Sequence, residues 1–204
     1  MLKAKFSKRT SGLDVRIGIL FSKFGISANA WTILSIIPAI LGFMALSRHN
    51  LGAGLLLFAA SAFIDVIDGT VARVTKSVSN LGAFLDGVMD RYVEFLLILG
   101  LWIYLEDVPS VLLPNGAWML MLLFGATMPS FIRAYADHRN VISDQEKLKN
   151  IGGLLERFER LTLIYLGMLL GLFDPQMLVY VIILTVILSN LTALQRIYGV
   201  IRSS

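Results

Sequence analysis

Cysteine is absent from the 204 residues, which excludes disulfides and thiolate chemistry and leaves the compartment open. Charge is scarce too: Asp, Glu, Lys and Arg together make up 16% of the chain, against roughly 25% in a soluble domain. Histidine occurs only as His49 and His138, each standing alone near a connection, and neither is assigned a role. No nucleic-acid motif accompanies the net charge of +4. No Pro/Gly/Ser linker, low-complexity tract or repeat divides the sequence, so residues 1–204 are expected to form a single membrane domain. The basic stretch Met1 to Arg16 lacks the compact apolar core and small-residue cleavage site of a removable signal peptide.

What the sequence has in place of charge is apolar length. Hydrophobic residues reach 56% and mean hydropathy is +0.75, the composition of an all-α integral membrane protein. A spanning helix needs roughly 20 residues to cross about 30 Å of hydrocarbon. Apolar runs at about 30–46, 51–72, 81–105, 112–136, 151–173 and 176–199 predict six transmembrane helices, a bundle over 30–199. Pro38 and Pro129 fall inside runs, where a proline kinks a helix if neighbours satisfy the freed carbonyl. Residues 1–25 are expected to be a juxtamembrane amphipathic helix in the headgroup layer: Phe6, Leu13, Ile17, Leu20, Phe21 and Phe24 alternate with Lys5, Lys8, Arg9, Arg16 and Lys23. Gly25 to Asn29 then supplies a breaker and capping residues.

Nearly all of the 18 lysines and arginines sit on alternate sides of such a chain. Lys3, Lys5, Lys8, Arg9, Arg16 and Lys23 precede the first span; Arg73 and Lys76 follow the second. Arg133, Arg139, Lys147, Lys149, Arg157 and Arg160 lie between the fourth and fifth, and Arg196 and Arg202 close the chain. The opposite connections carry Arg48 or the acidic Glu106, Asp107 and Asp174. Cationic loops mark the cytoplasm, so both termini are expected there. Trp31, Trp102, Trp118 and Tyr104 suit the two aromatic belts.

Against this background four aspartates stand out. Asp65 and Asp68 lie near the cytoplasmic end of the second run, and Asp86 and Asp90 near that of the third. Spacings of three and four put each pair on one helix face. Two antiparallel helices joined by a short connection would bring the pairs together. Carboxylates at membrane depth are costly unless neutralised, and hard oxygen donors suit Mg²⁺, Mn²⁺ or Ca²⁺. Gly69, Ala72 and Gly82 would let a bulky phosphorylated ligand approach the backbone, and Arg73 can fork onto phosphate. Metal, small residues and arginine together read as a diphosphate site. Helix caps or interfacial polar residues would be the ordinary reading of any one aspartate. A cation transporter could also use intramembrane carboxylates, but it leaves Gly69, Ala72 and Arg73 unexplained.

Asp65-x-x-Asp68-Gly69-x-x-Ala72-Arg73, eight residues, then Gly82-x-x-x-Asp86-x-x-x-Asp90 resembles the complete signature of the CDP-alcohol phosphatidyltransferases. The resemblance implies transfer of a substituted phosphate from a CDP-linked alcohol to a second alcohol, with release of CMP. It implies that Asp65, Asp68 and Asp86 bind metal, Mg²⁺ or Mn²⁺ and as two ions. Asp90 would be the general base, near a metal as well, and Gly69, Ala72, Arg73 and Gly82 would line the nucleotide diphosphate. A homodimer, with its site open to cytoplasm and bilayer, is also implied. Asn29 and Thr32 are similar to an Asn-x-x-Thr at the first span of this family, a resemblance that implies contact with the nucleotide; a helix cap at Asn29 is the more ordinary reading.

For the acceptor, Pro129 to Asp137 and Gly153 to Arg160 resemble segments of the inositol-phosphate-using members, as does Arg91 after Asp90; Tyr135 departs from them. The resemblance implies that Arg91, Arg133, Arg157 and Arg160 hold an anionic acceptor, although arginines in a positive-inside loop also contact anionic lipid. Glu94 could orient Arg91. The expected reaction joins CDP-diacylglycerol or CDP-archaeol to inositol phosphate. The same signature would serve a phosphatidylglycerophosphate synthase or a CDP-inositol:inositol-phosphate transferase.

Overall fold

A computed structural model describes residues 15–142 and 151–203. The expectations for residues 1–14, and for Lys147 and Lys149, lie outside the described residues. The described chain is helical, with one isolated bridge between Val111 and Leu113. A helical segment over 15–22 is followed by α1 (Ala28–Leu34), α2 (Ile36–Leu46), α3 (Leu51–Val74), α4 (Asn80–Tyr104), α5 (Asn115–His138), α6 (Arg157–Gly171) and α7 (Pro175–Ser203).

Helix boundaries follow local chemistry. Ser27 caps α1, its hydroxyl accepting the Ala30 N–H, so the cap expected at Asn29 belongs to Ser27 and Asn29 lies within the helix. Asn50 caps α3 through the Ala53 N–H, and Asp174 caps α7 through that of Gln176, with Pro175 at the first helical position. The first span breaks at Ser35, one turn before Pro38, because Pro38 has no N–H to offer the Leu34 carbonyl. Helix α5 runs through Pro129 without ending.

Four helical stretches are long and apolar enough to cross a membrane: Ala28–Leu46, Leu51–Val74, Asn115–His138 and Pro175–Ser203. The other two expected spans fall short for different reasons. Helix α4 has 25 residues but carries Asp86, Asp90, Arg91 and Glu94 within about three turns. Helix α6 has 15 residues, about 22 Å at 1.5 Å per residue, because the chain from 151 to 156 is not helical. The exposed surface of the spans is apolar, with Ile33, Ile37 and Leu41 on the first and Leu184, Ile187 and Leu191 on α7. Lipid, not protein, is the natural cover for such faces.

The chain forms two compact units, Met1–Ala45 with Leu56–Leu97, and Leu46–Leu55 with Ile98–Ser204. In the first, Phe58, Ile67, Val71 and Leu97 are buried. Gly18 lets the 15–22 helix close on α3, where an added Cβ would stand 2.7 Å from the Thr70 carbonyl oxygen. Phe21 meets Trp31 edge-on at 5.5 Å between ring centroids.

In the second unit α7 packs along α5 and α6. Contacts are made through small residues, as expected where apolar burial does not distinguish protein from lipid. Gly125 of α5 faces Ser189 and Asn190, and the Asn190 amide donates to the Met121 carbonyl at 3.2 Å. Gly167 and Gly171 of α6, one turn apart, face Leu178 and Val181. An added Cβ at Gly167 would lie 2.9 Å from Val181 Cγ1. Gly167→Leu should therefore lower the melting temperature of the detergent-solubilised protein, overpacking costing about 1–3 kcal/mol. Gly52→Ala, whose added atom finds its nearest neighbour at 3.6 Å, should not lower it. A G167L protein that melts with the wild type contradicts this close approach.

Candidate metal centre

Helices α3 and α4 are joined by five residues, and the turn between them is built to keep it short. Lys76 adopts a positive φ of 54°, and the Ser77 N–H reaches back to the Ala72 carbonyl while that of Lys76 reaches Arg73. This terminates α3 in a Schellman arrangement without glycine. Ser79 then starts α4 by accepting the Gly82 N–H at 3.0 Å.

The hairpin brings Asp65 and Asp68 of α3 to Asp86 of α4. Each offers one carboxylate oxygen, and the three oxygens lie within 4.8 Å of one another. Asp90 is not in that group. It lies one turn farther along α4, about 6 Å by helix rise, and its Oδ1 is buried. The i, i+4 spacing puts Asp86 and Asp90 on one face and sets them one turn apart along the axis.

Three oxygens at this separation fit a single hard divalent cation. Mg²⁺ binds oxygen at about 2.0–2.1 Å and Ca²⁺ at about 2.3–2.6 Å, so ligands on one ion stand about 3–5 Å apart. With no cysteine or histidine in the set, the donors favour Mg²⁺, Mn²⁺ or Ca²⁺ over zinc.

A cavity of about 340 Å³ opens beside the cluster. Asp68, Gly69, Ala72 and Arg73 line it from α3; Gly82, Ala83 and Asp86 from α4; Ala28, Asn29 and Thr32 from α1; and Ser77 to Ser79 from the turn. Asp65 belongs to the carboxylate group without lining this cavity. The lining carries both signs: Asp68 and Asp86 supply carboxylates, while Arg73 and the amino end of α4, with its positive helix dipole, contribute the opposite sign. An anion that carries a divalent cation matches such a lining.

The glycines keep the space open. A Cβ at Gly69 would come 3.7 Å from Arg73 Nη1, and one at Gly82 would come 3.1 Å from Asn29 Oδ1. Asn29 thus packs directly against Gly82 in the cavity lining. Thr32 is buried and donates its hydroxyl to Asp68 Oδ2. Sequence reasoning placed neither contact; the pattern Asn-x-x-Thr was the available signal, and it carries no information about its partners.

The expected acceptor arginines divide between the units. Arg91, in the first, pairs through Nη1 with Glu94 Oε2 at 2.9 Å, and Glu94 is buried. Arg133, Arg157 and Arg160 belong to the second. Arg133 Nη2 donates to the Ile151 carbonyl at 3.0 Å. Arg157 and Arg160 occupy the first turn of α6, and Arg160 is buried at 2% exposure.

The stretch 151–156 before α6 is held by residues that sequence reasoning missed. The Leu154 N–H donates to Gln195 Oε1 and that of Leu155 to Thr192 Oγ1, both at 2.9 Å. Arg196 bridges both Glu156 oxygens at 2.9 and 3.0 Å and donates to the Pro129 carbonyl at 2.7 Å. Irregular backbone near a membrane needs such partners. The available signal was the helical spacing of Thr185, Ser189, Thr192 and Arg196, all buried on one face of α7; Arg196 alone reads as a topology charge.

Known proteins agree with this construction. The CDP-alcohol phosphatidyltransferase family profile matches residues 26–193. The archaetidylinositol phosphate synthase of Pyrococcus horikoshii is 28% identical over 90% of this chain and 88% of its own. That of Methanothermobacter thermautotrophicus is 30% identical over 85% and 83%. Among solved structures, the phosphatidylinositol phosphate synthase of Mycobacterium tuberculosis with CDP-DAG bound superposes with a TM-score of 0.78 at 25% identity, covering 93% of this chain and 94% of that one. With its apolar helices and its aspartate cluster, this multi-pass chain is a transferase of the CDP-alcohol phosphatidyltransferase family, to which it belongs.

Proposed function

We propose that the protein transfers a phosphatidyl-type group from CDP-diacylglycerol or CDP-archaeol to inositol phosphate, releasing CMP, as a step of phospholipid synthesis. The observation that carries this reading is a single cavity lined by Asp68 and Asp86 together with Arg73 and the amino end of α4. The inositol phosphate assignment draws on the two relatives that are archaetidylinositol phosphate synthases and match most of this chain. The CDP-lipid assignment draws on the CDP-DAG bound to the mycobacterial enzyme.

In this reading Asp65, Asp68 and Asp86 hold Mg²⁺ or Mn²⁺. Such an ion, when bound, neutralises the diphosphate and stabilises charge on the departing phosphate. Arg73 forks onto phosphate oxygens, and Gly69, Ala72 and Gly82 let the nucleotide diphosphate lie against the helices. The acceptor hydroxyl attacks the lipid-side phosphorus, the phosphorus–oxygen bond to CMP breaks, and Asp90 takes the hydroxyl proton. Arg91, braced by Glu94, and Arg133, Arg157 and Arg160 hold the anionic acceptor. With α4 and α6 counted as crossings, the chain spans the membrane six times with termini and site toward the cytoplasm, and it works as a homodimer.

Asp68→Asn or Asp86→Asn should cut CMP release by about two to three orders of magnitude or more, on the scale of losing one transition-state electrostatic contact, with the detergent melting temperature retained. Wild-type turnover in either variant rejects the metal assignment. Supplied with CDP-lipid, Mg²⁺ or Mn²⁺ and a panel of alcohols, the protein should yield a lipid-linked inositol phosphate by mass spectrometry; a glycerol phosphate product overturns the acceptor. Arg157→Ala should raise the acceptor KM about 10- to 100-fold, the scale of one charge-assisted hydrogen bond. The donor KM should not move, and an unchanged acceptor KM removes Arg157 from the pocket.

A further inference from the structure

Asp68 is the buried member of the carboxylate group, 6% exposed. Its Oδ2 accepts the hydroxyl of Thr32, a residue of α1 that is itself 3% exposed. Thr32 is held in turn. The Ser35 hydroxyl donates to the Thr32 carbonyl at 2.7 Å, and the Ser61 hydroxyl donates to the Ser35 carbonyl at 2.7 Å. Ser35 and Ser61 are each 1% exposed. Ser61 and Asp68 lie seven residues apart, two turns along one face of α3. The break in the first span is therefore tied to α3 at two points on that face, and one of the ties ends on a carboxylate oxygen of the cluster.

Three carboxylates within 4.8 Å repel one another and will swing apart unless each is held. For Asp68 the constraint comes from Thr32. The same hydroxyl lies 3.2 Å from the Ala28 carbonyl oxygen, and the closer contact is to Asp68. With Oδ2 engaged by a hydroxyl, rotation of the carboxylate is restrained and its remaining lone pairs are left for a cation. A hydrogen bond to a ligating carboxylate orients the ligand and tunes the ion's affinity. The same short helix carries Asn29, which stands beside Gly82 in the cavity lining.

We infer that Thr32 is a positioning residue for the metal centre: its hydroxyl, anchored through Ser35 and Ser61 at the break in the first span, sets the carboxylate of Asp68 for divalent-cation binding. This rests on the reading of Asp65, Asp68 and Asp86 as metal ligands. The role is separate from contact with the nucleotide and is expressed when the cation is the only ligand present.

The test is Mn²⁺ binding to the full-length protein in detergent, with no nucleotide, followed by the loss of the free-ion electron paramagnetic resonance signal. Thr32→Val removes the hydroxyl at nearly constant volume and should weaken Mn²⁺ binding about 10- to 100-fold. Thr32→Ser keeps the hydroxyl and should bind within about threefold of wild type on the same scale. Asp68→Asn should lose the site. If Asp68→Asn loses Mn²⁺ while Thr32→Val binds it as wild type does, the positioning role is overturned and the metal reading stands. If Asp68→Asn binds Mn²⁺ normally, both are overturned. A Thr32 that merely packs would lower the metal-free melting temperature in the valine variant and leave Mn²⁺ affinity unmoved, which also overturns the role. Should Thr32→Val fail to fold, Thr32→Ala removes the same hydroxyl without adding a branched methyl, and wild-type Mn²⁺ affinity in that variant overturns the role equally.

Discussion

Three carboxylates held within 4.8 Å of one another, on helices whose other faces are apolar, are the constraint on which the first unit depends. Ionised groups of like sign at this separation repel strongly wherever water is excluded. Burial raises the cost further for Asp68, the buried member, which must give up hydration. A chain that keeps them there needs compensating positive charge at the same place, and it needs rigid helices to hold the carboxylates against their repulsion. The short α3–α4 turn, closed by back-bonds from Lys76 and Ser77, provides that rigidity at one end. The ties from Ser61 and Asp68 to the first span provide it at the other. In the function proposed above the compensating charge is an ion, with Arg73 and the amino end of α4 meeting the anion that comes with it.

Helical register made much of this readable from residues alone. Asp65, Asp68 and Asp86 have spacings that force two helix faces to meet, and small residues at 69, 72 and 82 mark where a ligand can lie. Because helix geometry is nearly invariant, such spacing converts directly into position. Asp90 shares the face of Asp86 one turn farther along the same helix. Tertiary partners were less legible. Nothing local to Thr32 says that its hydroxyl, besides lying 3.2 Å from the Ala28 carbonyl oxygen, meets Asp68, and nothing local to Arg196 distinguishes a topology charge from a buried bridge to Glu156. Those assignments depend on which helix packs where, and apolar spans carry little sequence information on that.

Helix length is read less directly from apolar runs. Runs of apolar residues at 81–105 and 151–173 are similar in composition to their neighbours. Yet α4 carries Asp86, Asp90, Arg91 and Glu94, and α6 begins only after a docked, non-helical stretch. Both features coincide with candidate site residues. A helix bearing Asp86, Asp90, Arg91 and Glu94 cannot also be uniformly apolar. A stretch that presents Arg157 and Arg160 at a helix amino end must stop being helical before them.

The second unit solves a different problem by related means. Residues 151–156 leave backbone donors without helical partners, and Thr192, Gln195 and Arg196 supply acceptors or counter-charge from one face of α7. Gly153 permits the close contact, since a Cβ there would strike the Thr192 side chain. Proline at 129 contributes as well: its carbonyl accepts from Arg196, which fixes the guanidinium that in turn fixes Glu156 at the start of α6. A polar stripe that would be costly facing lipid is therefore consumed in orienting a single helix terminus. In each unit, buried hydrogen bonds, more than apolar contact, determine where the charged groups end up. That follows from the solvent: against lipid, apolar packing distinguishes poorly between arrangements, whereas an unsatisfied polar group is expensive in every arrangement but one.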